Sequence, residues 1–325
     1  MRASVIVPAF NAESSIGECL DALIDQTIGR AEYEIIVVDD GSNDSTPDIV
    51  GRYKGVRLVK QQNSGPAAAR NNGAGIAVAP IIVFTDSDCS PQRDWLENMI
   101  APLEADQKIV AAKGAYRTRQ RELAARFVQL EYQDKYRILT RDEYIDFIDT
   151  YSAAFRKDVF LTFGGYDTSF KVACAEDVEL SYRMGNAGHK MIFNPKAIVF
   201  HRHPDNFIAY FRKKYKFAYW RMLAVRKNPN KMVSDSHTPQ IMKFQLLLAP
   251  LAIVLAALAV FIPIFRFWAW AVLLMFILLS LPMTIRILRR DTFLGLLTPA
   301  ALFGRAVAQF MGVVNGLFQW YVICK

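Results

Sequence analysis

The sequence predicts an α/β domain with a mostly parallel sheet, followed by an all-α region of transmembrane helices. Short apolar runs rich in β-branched residues alternate with helical patterns about every 20 to 30 residues, which favours parallel strands covered by helices. Several of these runs end in acidic residues. The last ~80 of the 325 residues contain uncharged apolar stretches that are long enough to cross a bilayer.

The predicted strands are continuous apolar runs without helical periodicity, which is typical of buried strands. They are Ser4–Pro8, Glu34–Asp40, Val56–Lys60, Ile81–Thr85, Ile109–Gly114, Thr150–Phe155, Met191–Phe193 and Ala197–Phe200. Helices are predicted over residues 14–26, 46–53, 122–139 and 175–188, and a further helix carries Ala67–Asn72.

Two carboxylates follow the strand at Ile81–Thr85, and Ser90-Pro91 closes the turn after them. Asp86 and Asp88 are two residues apart, so their side chains point to the same side of an extended chain. Open α/β sheets bind ligands beyond the carboxyl ends of their strands, and Mg²⁺ joins carboxylates to phosphate oxygens. The same residues also fit an ordinary polar turn.

Other polar residues are predicted at the same edge of the sheet. Asp39 and Asp40 follow the second strand, where a carboxylate can bind a nucleobase or ribose, or can cap a turn. Arg70 can stack on a base, bind a phosphate, or be an ordinary surface arginine. Glu176 and Asp177 open a later helix, where the helix dipole alone favours acidic residues. One of them could instead serve as a general base.

The charge and the cysteines restrict the function classes. The net charge is +8, and basic residues cluster between Arg212 and Lys231, directly before the apolar region. Anionic lipid headgroups explain this position better than nucleic acid does. The four cysteines lack metal or redox spacing, which fits a reducing compartment, and Cys89 is predicted to be a small apolar wall residue. No signal peptide is recognised, so the first domain is expected in the cytosol.

The apolar region is predicted to contain two or three transmembrane helices. Residues 244–265 and 267–285 are uncharged, and only Arg266 separates them, so they form a tight hairpin. Basic residues flank both ends of the pair, which places those ends in the cytosol. Residues 293–324 carry a stripe of small and polar side chains that should face protein or headgroups. This segment could therefore span the membrane or begin as an interfacial helix. The stripe consists of Arg305, Gln309, Gly312, Gly316 and Gln319.

Before the first apolar run, residues 207–223 interleave aromatic and basic side chains, as interfacial helices do. Such a helix can anchor the protein on the membrane or hold the phosphate of a lipid acceptor. The residues expected to contact the acceptor or the lipid phosphate are Arg212, Lys213, Lys214, Trp220 and Arg221. The predicted domains are therefore residues 1–205, a helix and linker at 206–240, and a transmembrane region at 241–325.

The order of the motifs carries more information than any one of them. The chain contains SVIVPAFNAE, EIIVVDDGS, GPAAARNNG, IIVFTDSD, FGGYD and AEDVEL in that order. This series closely resembles glycosyltransferase family 2, the inverting transferases of the GT-A fold, over roughly residues 1–203. The resemblance implies a GT-A domain with a Rossmann-like, mostly parallel sheet.

The resemblance also implies roles for individual residues. The donor would contact Pro8, Phe10, Asn11, Asp39, Asp40, Arg70 and Asp86. Among these, Asp39 would bind the base, Asp40 would support that turn, and Arg70 would lie near the base or phosphates. Asp86 would reach the ribose or the metal, and Asp88 would ligate Mg²⁺ or Mn²⁺ on the diphosphate, with His201 nearby. Asp177 of the Glu176-Asp177 pair would be the catalytic base.

The predicted function is that of a metal-dependent, membrane-bound inverting glycosyltransferase, with its catalytic domain on the cytosolic face. The expected partners are a nucleotide-sugar donor (UDP favoured over GDP), a lipid or lipid-linked acceptor, and the bilayer, and a homo-oligomer is left open. A polyprenyl-phosphate monosaccharide synthase is the alternative, and a subunit of a polysaccharide secretion system or an inactive scaffold is less favoured. Processive polymer synthases usually carry a Gln-x-x-Arg-Trp motif, which the stretch YFRKKYKFAYWR lacks.

Overall fold

The computed structural model describes residues 1–170, 174–231 and 240–323. It divides the chain into two compact units. The first contains residues 1–119 and 135–202, and the second contains residues 120–134 and 203–325. The end of the predicted third apolar segment, residue 324, and residues 232–239 of the predicted linker lie outside the described residues.

The elements alternate as predicted through the first four strands. The strands are β1 (Ala3–Ala9), β2 (Tyr33–Asp39), β3 (Val56–Lys60), β4 (Ile81–Phe84), β5 (Cys89–Pro91), β6 (Ile109–Arg117), β7 (Ala153–Arg156) and β8 (Lys190–His201). The helices are α1 (Ile16–Ile24), α2 (Thr46–Gly51), α3 (Pro66–Ile76), α4 (Trp95–Ala105), α5 (Leu123–Leu139), α6 (Lys157–Thr162), α7 (Glu176–Asn186), α8 (Phe207–Lys227), α9 (Gln240–Leu258), α10 (Ile264–Leu288) and α11 (Thr292–Leu317).

All eight strands form one sheet in the order β3-β2-β1-β4-β7-β6-β8-β5. The pairs β1–β2, β1–β4, β2–β3 and β6–β8 are parallel, and the pairs that involve β7 or β5 are antiparallel. Six of the eight strands therefore run in one direction, which confirms the α/β class with a mostly parallel sheet. Helices pack on this sheet because strands such as β1 and β2 are buried on both faces.

The chain after Asp88 differs from the predicted turn. Cys89–Pro91 forms the short edge strand β5, which pairs antiparallel with the end of β8. Proline is tolerated at the edge of a sheet, where its missing N–H does not interrupt a ladder. The register sets Cys89 opposite His201, so residues more than 100 positions apart in sequence become neighbours.

The prediction of two short strands at 191–193 and 197–200 is wrong, because β8 is one strand of 12 residues. Its register with β6 shifts between Lys113 and Ala115. At Gly114 a Cβ would collide with Ser152 and with the carbonyl oxygen of Ala197. The irregular pairing and the polar residues of β8 hide its continuity from a search for short apolar runs.

The second unit is built from helices. Residues 120–134, which include the first part of α5, belong to it together with α8–α11. Its apolar cluster contains Phe127 from α5, Tyr210 from α8, Ala249 from α9, Phe276 from α10 and Leu302 from α11. The predicted hairpin is present as α9 and α10, and α11 continues as a π-helical turn at Phe318–Ile323. Within the described parts of the chain, three helices are long and apolar enough to cross a membrane.

A pair of glycines in α3 offers a test of the packing between this helix and the sheet. A Cβ on Gly73 would collide with the side chain of Ile6 and lie 3.2 Å from Cγ2 of Val38, whereas a Cβ on Gly75 meets nothing within 4 Å. We expect Gly73→Ala to lower the melting temperature, because overpacking typically costs about 1–3 kcal/mol.

Gly75→Ala in the same helix is the matched control. It should be neutral or raise the melting temperature slightly, because alanine is favoured over glycine in helices by about 0.5–1 kcal/mol. Equal melting temperatures for the two variants would show that α3 does not pack closely on β1 at Gly73.

Candidate active site

The polar residues predicted from the strand ends collect at one edge of the sheet. In the central parallel strands, β1 ends at Ala9, β2 at Asp39 and β4 at Phe84. Asp40 is the next residue after β2, and Asn11 and Asp86 lie two residues beyond the ends of β1 and β4. Carboxyl ends of parallel strands meet at one edge, so the order of the strands alone brings these segments together.

Asn11 and the turn after β2 hold each other in place. Asn11 has a positive φ of 49°, its N–H donates to Ser42 Oγ, and its side-chain oxygen accepts from the N–H of Asn43. Asparagine tolerates this left-handed conformation better than most residues. Phe10 is 48% exposed and Pro8 is half-buried, so the ring of Phe10 is available to a ligand.

The adjacent carboxylates Asp39 and Asp40 are both buried but have different partners. Asp39 accepts from the N–H of Ser42 at 3.3 Å. Asp40 accepts from the side chain of Gln61 and from the N–H groups of Ser64 and Gly65. Asp40 thus anchors the loop that leads into α3, and Asp39 remains the better candidate for contact with a ligand.

Arg70 is buried between two carboxylates. Its guanidinium donates to Asp86 Oδ1 at 2.6 Å and to Glu176 Oε1 at 3.0 Å, and its side chain is 2% exposed. It also lies 5.9 Å from the centre of the Tyr166 ring. Arginine suits this position, because its planar group can donate in two directions at once. The predicted donor-binding Arg70 therefore connects Asp86 to the Glu176-Asp177 pair.

Glu176 and Asp177 differ in their environment, although both are buried at the start of α7. Glu176 is paired with Arg70 and also accepts from the N–H of Cys174 at 2.7 Å. Asp177 accepts from the N–H of Val178, and no ion pair to it is present in the described parts of the chain. Burial raises the pKa of Asp177 well above its usual value, and the negative charges of Glu176 and Asp149 raise it further.

A possible metal-binding group lies where β5 pairs with β8. One donor atom from each of Asp88, Cys89 and His201 falls within 4.8 Å of the others. Asp88 Oδ1 is 3.4 Å from His201 Nδ1, and Cys89 Sγ is 3.9 Å from that same nitrogen. Oxygen, nitrogen and sulfur donors at this separation fit a divalent cation. Asp86, which is also predicted as a ligand, accepts a hydrogen bond from the Arg70 guanidinium through its Oδ1.

Several residues of this region were missed from the sequence. Cys89 was expected to be a wall residue, and only the strand register brings its sulfur to His201. The ring of His201 stacks on Tyr116 at 4.8 Å, and Tyr116 stacks on Tyr151 at 3.2 Å. Aromatic residues in strands usually indicate only core packing, so no sequence signal identified this stack.

Asn71 performs a second positioning task from α3. Its side chain accepts from the N–H of Tyr166 and donates to the carbonyl oxygen of Tyr166. This pair of hydrogen bonds holds the glycine turn of the FGGYD motif, in which Gly164 and Gly165 both have positive φ. The neighbouring residues Arg70 and Asn71 therefore tie two of the predicted motifs to α3.

The basic residues expected to contact an acceptor lie in the second unit, on α8. Arg212 and Lys213 are exposed, and Arg221 is half-buried. Lys214 pairs with Glu131 of α5 at 2.8 Å, and the ring of Trp220 lies 5.2 Å from that of Trp320. Lys214 and Trp220 are thus engaged in contacts within the unit.

Comparisons with known proteins identify the class to which the chain belongs. Residues 4–163 match the family described as "Glycosyl transferase family 2". The chain belongs to glycosyltransferase family 2. This confirms the resemblance that the order of the motifs predicted.

Individual relatives and solved structures agree with the family. "Glycosyltransferase AglE" of Haloferax volcanii is 36% identical over 105 residues, covering 31% of this chain and 34% of that protein. "Probable glycosyltransferase YdaM" of Bacillus subtilis is 28% identical over 247 residues, 70% of this chain and 56% of that protein. The chain thus spans about a third to about half of these two relatives.

The solved structure of the mannosyltransferase PcManGT from Pyrobaculum calidifontis, in complex with GDP-Man and Mn²⁺, has a TM-score of 0.64 to this chain. The similarity covers 98% of this chain and 87% of that protein, at 22% sequence identity. At this identity the likeness establishes the fold, and the GT-A fold predicted from the motifs is confirmed.

The ion pairs of Arg70 are expected to stabilise the fold. Arg70→Ala should reduce the free energy of unfolding by about 3–5 kcal/mol, because it leaves the buried Glu176 without its cation. Arg70→Lys should fall between this variant and the wild type, because an ammonium cannot bridge both carboxylates as the planar guanidinium does. Thermal unfolding in detergent measures both effects.

Arg52, which is exposed at the end of α2, provides the control for loss of a positive charge. Arg52→Ala should change the stability by less than about 0.5 kcal/mol. A similar loss for Arg52→Ala and Arg70→Ala would contradict a special role for the buried bridge.

The raised pKa of Asp177 predicts a pH dependence. A general base must be ionised, and a raised pKa keeps Asp177 protonated to a higher pH than a free aspartate. The value of kcat/KM should therefore be low at acidic pH and rise as Asp177 ionises, with a pKa above the usual aspartate value of 3.8. Steady-state kinetics between pH 5 and pH 9 would reveal this limb.

The stability should change in the opposite direction. A raised folded-state pKa means that ionisation of Asp177 destabilises the fold progressively as the pH rises. Asp177→Asn removes this cost. The melting temperature of the variant minus that of the wild type should therefore be larger at pH 8 than at pH 5. A smaller difference at pH 8 than at pH 5 would contradict the raised pKa.

Proposed function

We propose that this chain is a membrane-bound, inverting glycosyltransferase that moves a sugar from a nucleotide donor to a membrane-associated acceptor. The observation that carries the proposal is the convergence of three groups within the first unit. These are Asp39 at the end of β2, the Asp88–Cys89–His201 group, and the buried Arg70 that connects Asp86 to Glu176. The first unit therefore contains candidate residues for binding the nucleotide, for binding the diphosphate and for activating the acceptor.

Asp177 is the proposed catalytic base. Inversion at the sugar requires a group that removes the proton of the acceptor hydroxyl. Glu176 is held by Arg70 and by the N–H of Cys174, which makes it a positioning residue for Asp177. The raised pKa of Asp177 suits a base, because a more basic carboxylate takes a proton more readily.

Asp88 and His201 would hold the divalent cation, Mg²⁺ or Mn²⁺, with Cys89 beside them. When bound, such a cation stabilises the negative charge of the departing nucleoside diphosphate. Tyr116 keeps the ring of His201 in place by stacking on it. Asp86, which is paired with Arg70, would contact the ribose or the cation.

The donor would lie over the ends of β1 and β2, with Pro8, Phe10 and Asn11 lining the nucleotide pocket and Asp39 at the base. Asp40 would keep the adjoining loop in position. A UDP-sugar is favoured as donor, and a GDP-sugar is the competing case, since PcManGT was solved with GDP-Man. The proposed acceptor is a lipid-linked saccharide or another lipid.

A polyprenyl phosphate is the second candidate acceptor. The exposed Arg212 and Lys213 of α8 favour an acceptor with a phosphate group, because both side chains can bind phosphate oxygens. A phosphate acceptor needs no base, so Asp177 would then position the acceptor. The proposal places the ends of the α9–α10 hairpin and the catalytic domain, residues 1–205, on the cytosolic face of the membrane.

The function is tested by transfer assays with the purified full chain. UDP- and GDP-sugars would be offered with Mn²⁺ or Mg²⁺, with and without polyprenyl phosphate or lipid-linked saccharide. Asp88→Asn should lose at least about 100-fold in turnover, and Asp177→Asn about 100- to 10,000-fold on a hydroxyl acceptor.

Asp48→Asn, at an exposed position of α2, is the matched control and should keep full activity. If Asp177→Asn stays active on polyprenyl phosphate, the assignment of a base is wrong and the synthase alternative gains support. Donor binding without transfer to any acceptor, or unchanged transfer by Asp88→Asn, would contradict the proposal.

A further inference from the structure

The long helix α11 differs from α9 and α10 in the helices against which it packs. Thr292–Ile323 is apolar and long enough to cross a membrane, as are the other two. Its described contacts with the α9–α10 hairpin lie in one half of that hairpin and extend to Phe276, in the middle of α10, whose ring lies 5.2 Å from that of Phe303. Arg305 donates to Gln245, close to the start of α9, and Gly295 packs on Leu288 at the end of α10.

The far part of the hairpin stays uncovered. Val254 in α9 is 54% exposed, and Phe267 and Trp270 in α10 are 66% and 71% exposed. A third spanning helix would be expected to pack along the hairpin through the depth of the membrane. Instead, α11 leaves the hairpin near Ala306, the last of its residues in the shared apolar cluster.

From Gly304 onward, α11 packs along α8. A Cβ on Gly304 would lie 2.5 Å from the ring of Phe211, and one on Gly316 would lie 2.6 Å from the carbonyl oxygen of Tyr219. Between them, Gly312 approaches the backbone of Tyr215 as closely. Contacts that advance together along both helices mean that α8 and α11 run side by side in the same direction. The predicted stripe of small and polar residues on α11 thus faces protein.

The opposite side of α8 is strongly basic. Residues 207–227 contain seven lysines and arginines and no acidic residue. Arg212, Lys213 and Lys216 are exposed. If α11 continued into the hydrocarbon layer, it would carry these cations with it, which is strongly unfavourable for unpaired charges.

Salt bridges hold the first half of α11 beside another charged helix. Arg305 pairs with Glu131 of α5 at 2.6 Å, and Lys214 of α8 pairs with the same carboxylate. Burial alone would raise the pKa of Glu131, but these two cations lower it to about 2. Arg126 of α5 also pairs with Asp291, the residue before α11. Both halves of α11 therefore lie against helices that carry charge.

The exposed large apolar side chains of α11 lie on one face and form an apolar stripe in two parts. Phe293 and Leu296 lie near the start of the helix, and Met311, Val314 and Phe318 lie in its second half and just after its end. Between the two parts, Phe303 and Val307 pack against the apolar cluster. A helix with one apolar face and a basic partner is suited to the boundary between headgroups and acyl chains. Trp320 packs on Tyr219 and Trp220, and such aromatic residues are common at that depth.

We propose that α8 and α11 form a helix pair that lies in the plane of the membrane surface. The apolar stripe of α11 would enter the acyl boundary, and the exposed cations of α8 would contact anionic lipid headgroups. Among the described residues, the α9–α10 hairpin would then be the one element that crosses the membrane. The proposal rests on the membrane attachment of the proposed function and is independent of glycosyl transfer.

Depth measurements distinguish a surface helix from a span. Spin labels at Leu296→Cys, Met311→Cys and Phe318→Cys in the reconstituted full chain should report similar, shallow depths from their oxygen and nickel accessibilities. A span would separate the first and last labels by up to about 33 Å, because a helix rises 1.5 Å per residue. A continuous depth gradient across the bilayer would overturn the proposal.

The side of the membrane provides a second measurement. An impermeant maleimide in sealed vesicles should label a cysteine appended after Lys325, in a Cys324→Ser background, from the same side as Asn230→Cys. Phe261→Cys, in the hairpin turn, should be labelled from the opposite side. Labelling of the appended cysteine together with Phe261→Cys, or of all three from one side, would overturn the proposed topology.

Charge replacement identifies the lipid partner. In nanodiscs with phosphatidylcholine and phosphatidylglycerol, the triple variant Arg212→Gln, Lys213→Gln, Lys216→Gln should reduce the enrichment of labelled phosphatidylglycerol around the protein at least twofold. The control replaces Arg52, Lys54 and Lys60, which are exposed in the first unit, with glutamine. Equal effects of the two triple variants would contradict contact between α8 and anionic headgroups.

Discussion

The candidate site depends on the ion pairs that the buried guanidinium of Arg70 makes with two carboxylates. This guanidinium joins α3, the segment after β4 and the start of α7, three parts of the chain that are distant in sequence. Two carboxylates beside one another in a buried place would repel, and a single cation between them converts that repulsion into a fixed arrangement. Glu176 is held by this contact, and Asp177 then occupies the next position without a cation of its own among the described residues.

The second constraint is the pairing of the short edge strand β5 with β8. Because Cys89 is opposite His201 in the ladder, the aspartate before Cys89 also comes within reach of the imidazole. The stack of His201 on Tyr116 and Tyr151 limits the orientation of that ring from the other side. Backbone pairing and aromatic stacking thus hold the atoms of this possible metal-binding group in a defined arrangement, as in preorganised sites.

In the second unit, contacts between charged residues in the middle of α11 distinguish it from the other two apolar helices. The pair formed by α9 and α10 exposes apolar side chains all round over its far part, as a membrane hairpin does. In contrast, Arg305 is neutralised by Glu131, and that carboxylate is shared with Lys214. These contacts tie α11 to α5 and α8. Apolar composition alone therefore describes α9 and α10 well, and it describes α11 poorly.

The sequence by itself determined the first four strands, the order of the motifs, the family and the apolar helices, because these depend on local periodicity and on residues close together in the chain. The positions of Asp39, Asp88 and Asp177 at strand or helix ends were readable in this way. Tertiary structure alone decided that Arg70 binds Asp86 and Glu176, and that Cys89 faces His201. It also decided that α11 packs on α8. Such contacts depend on strand register and helix packing between distant segments, about which local patterns carry no information.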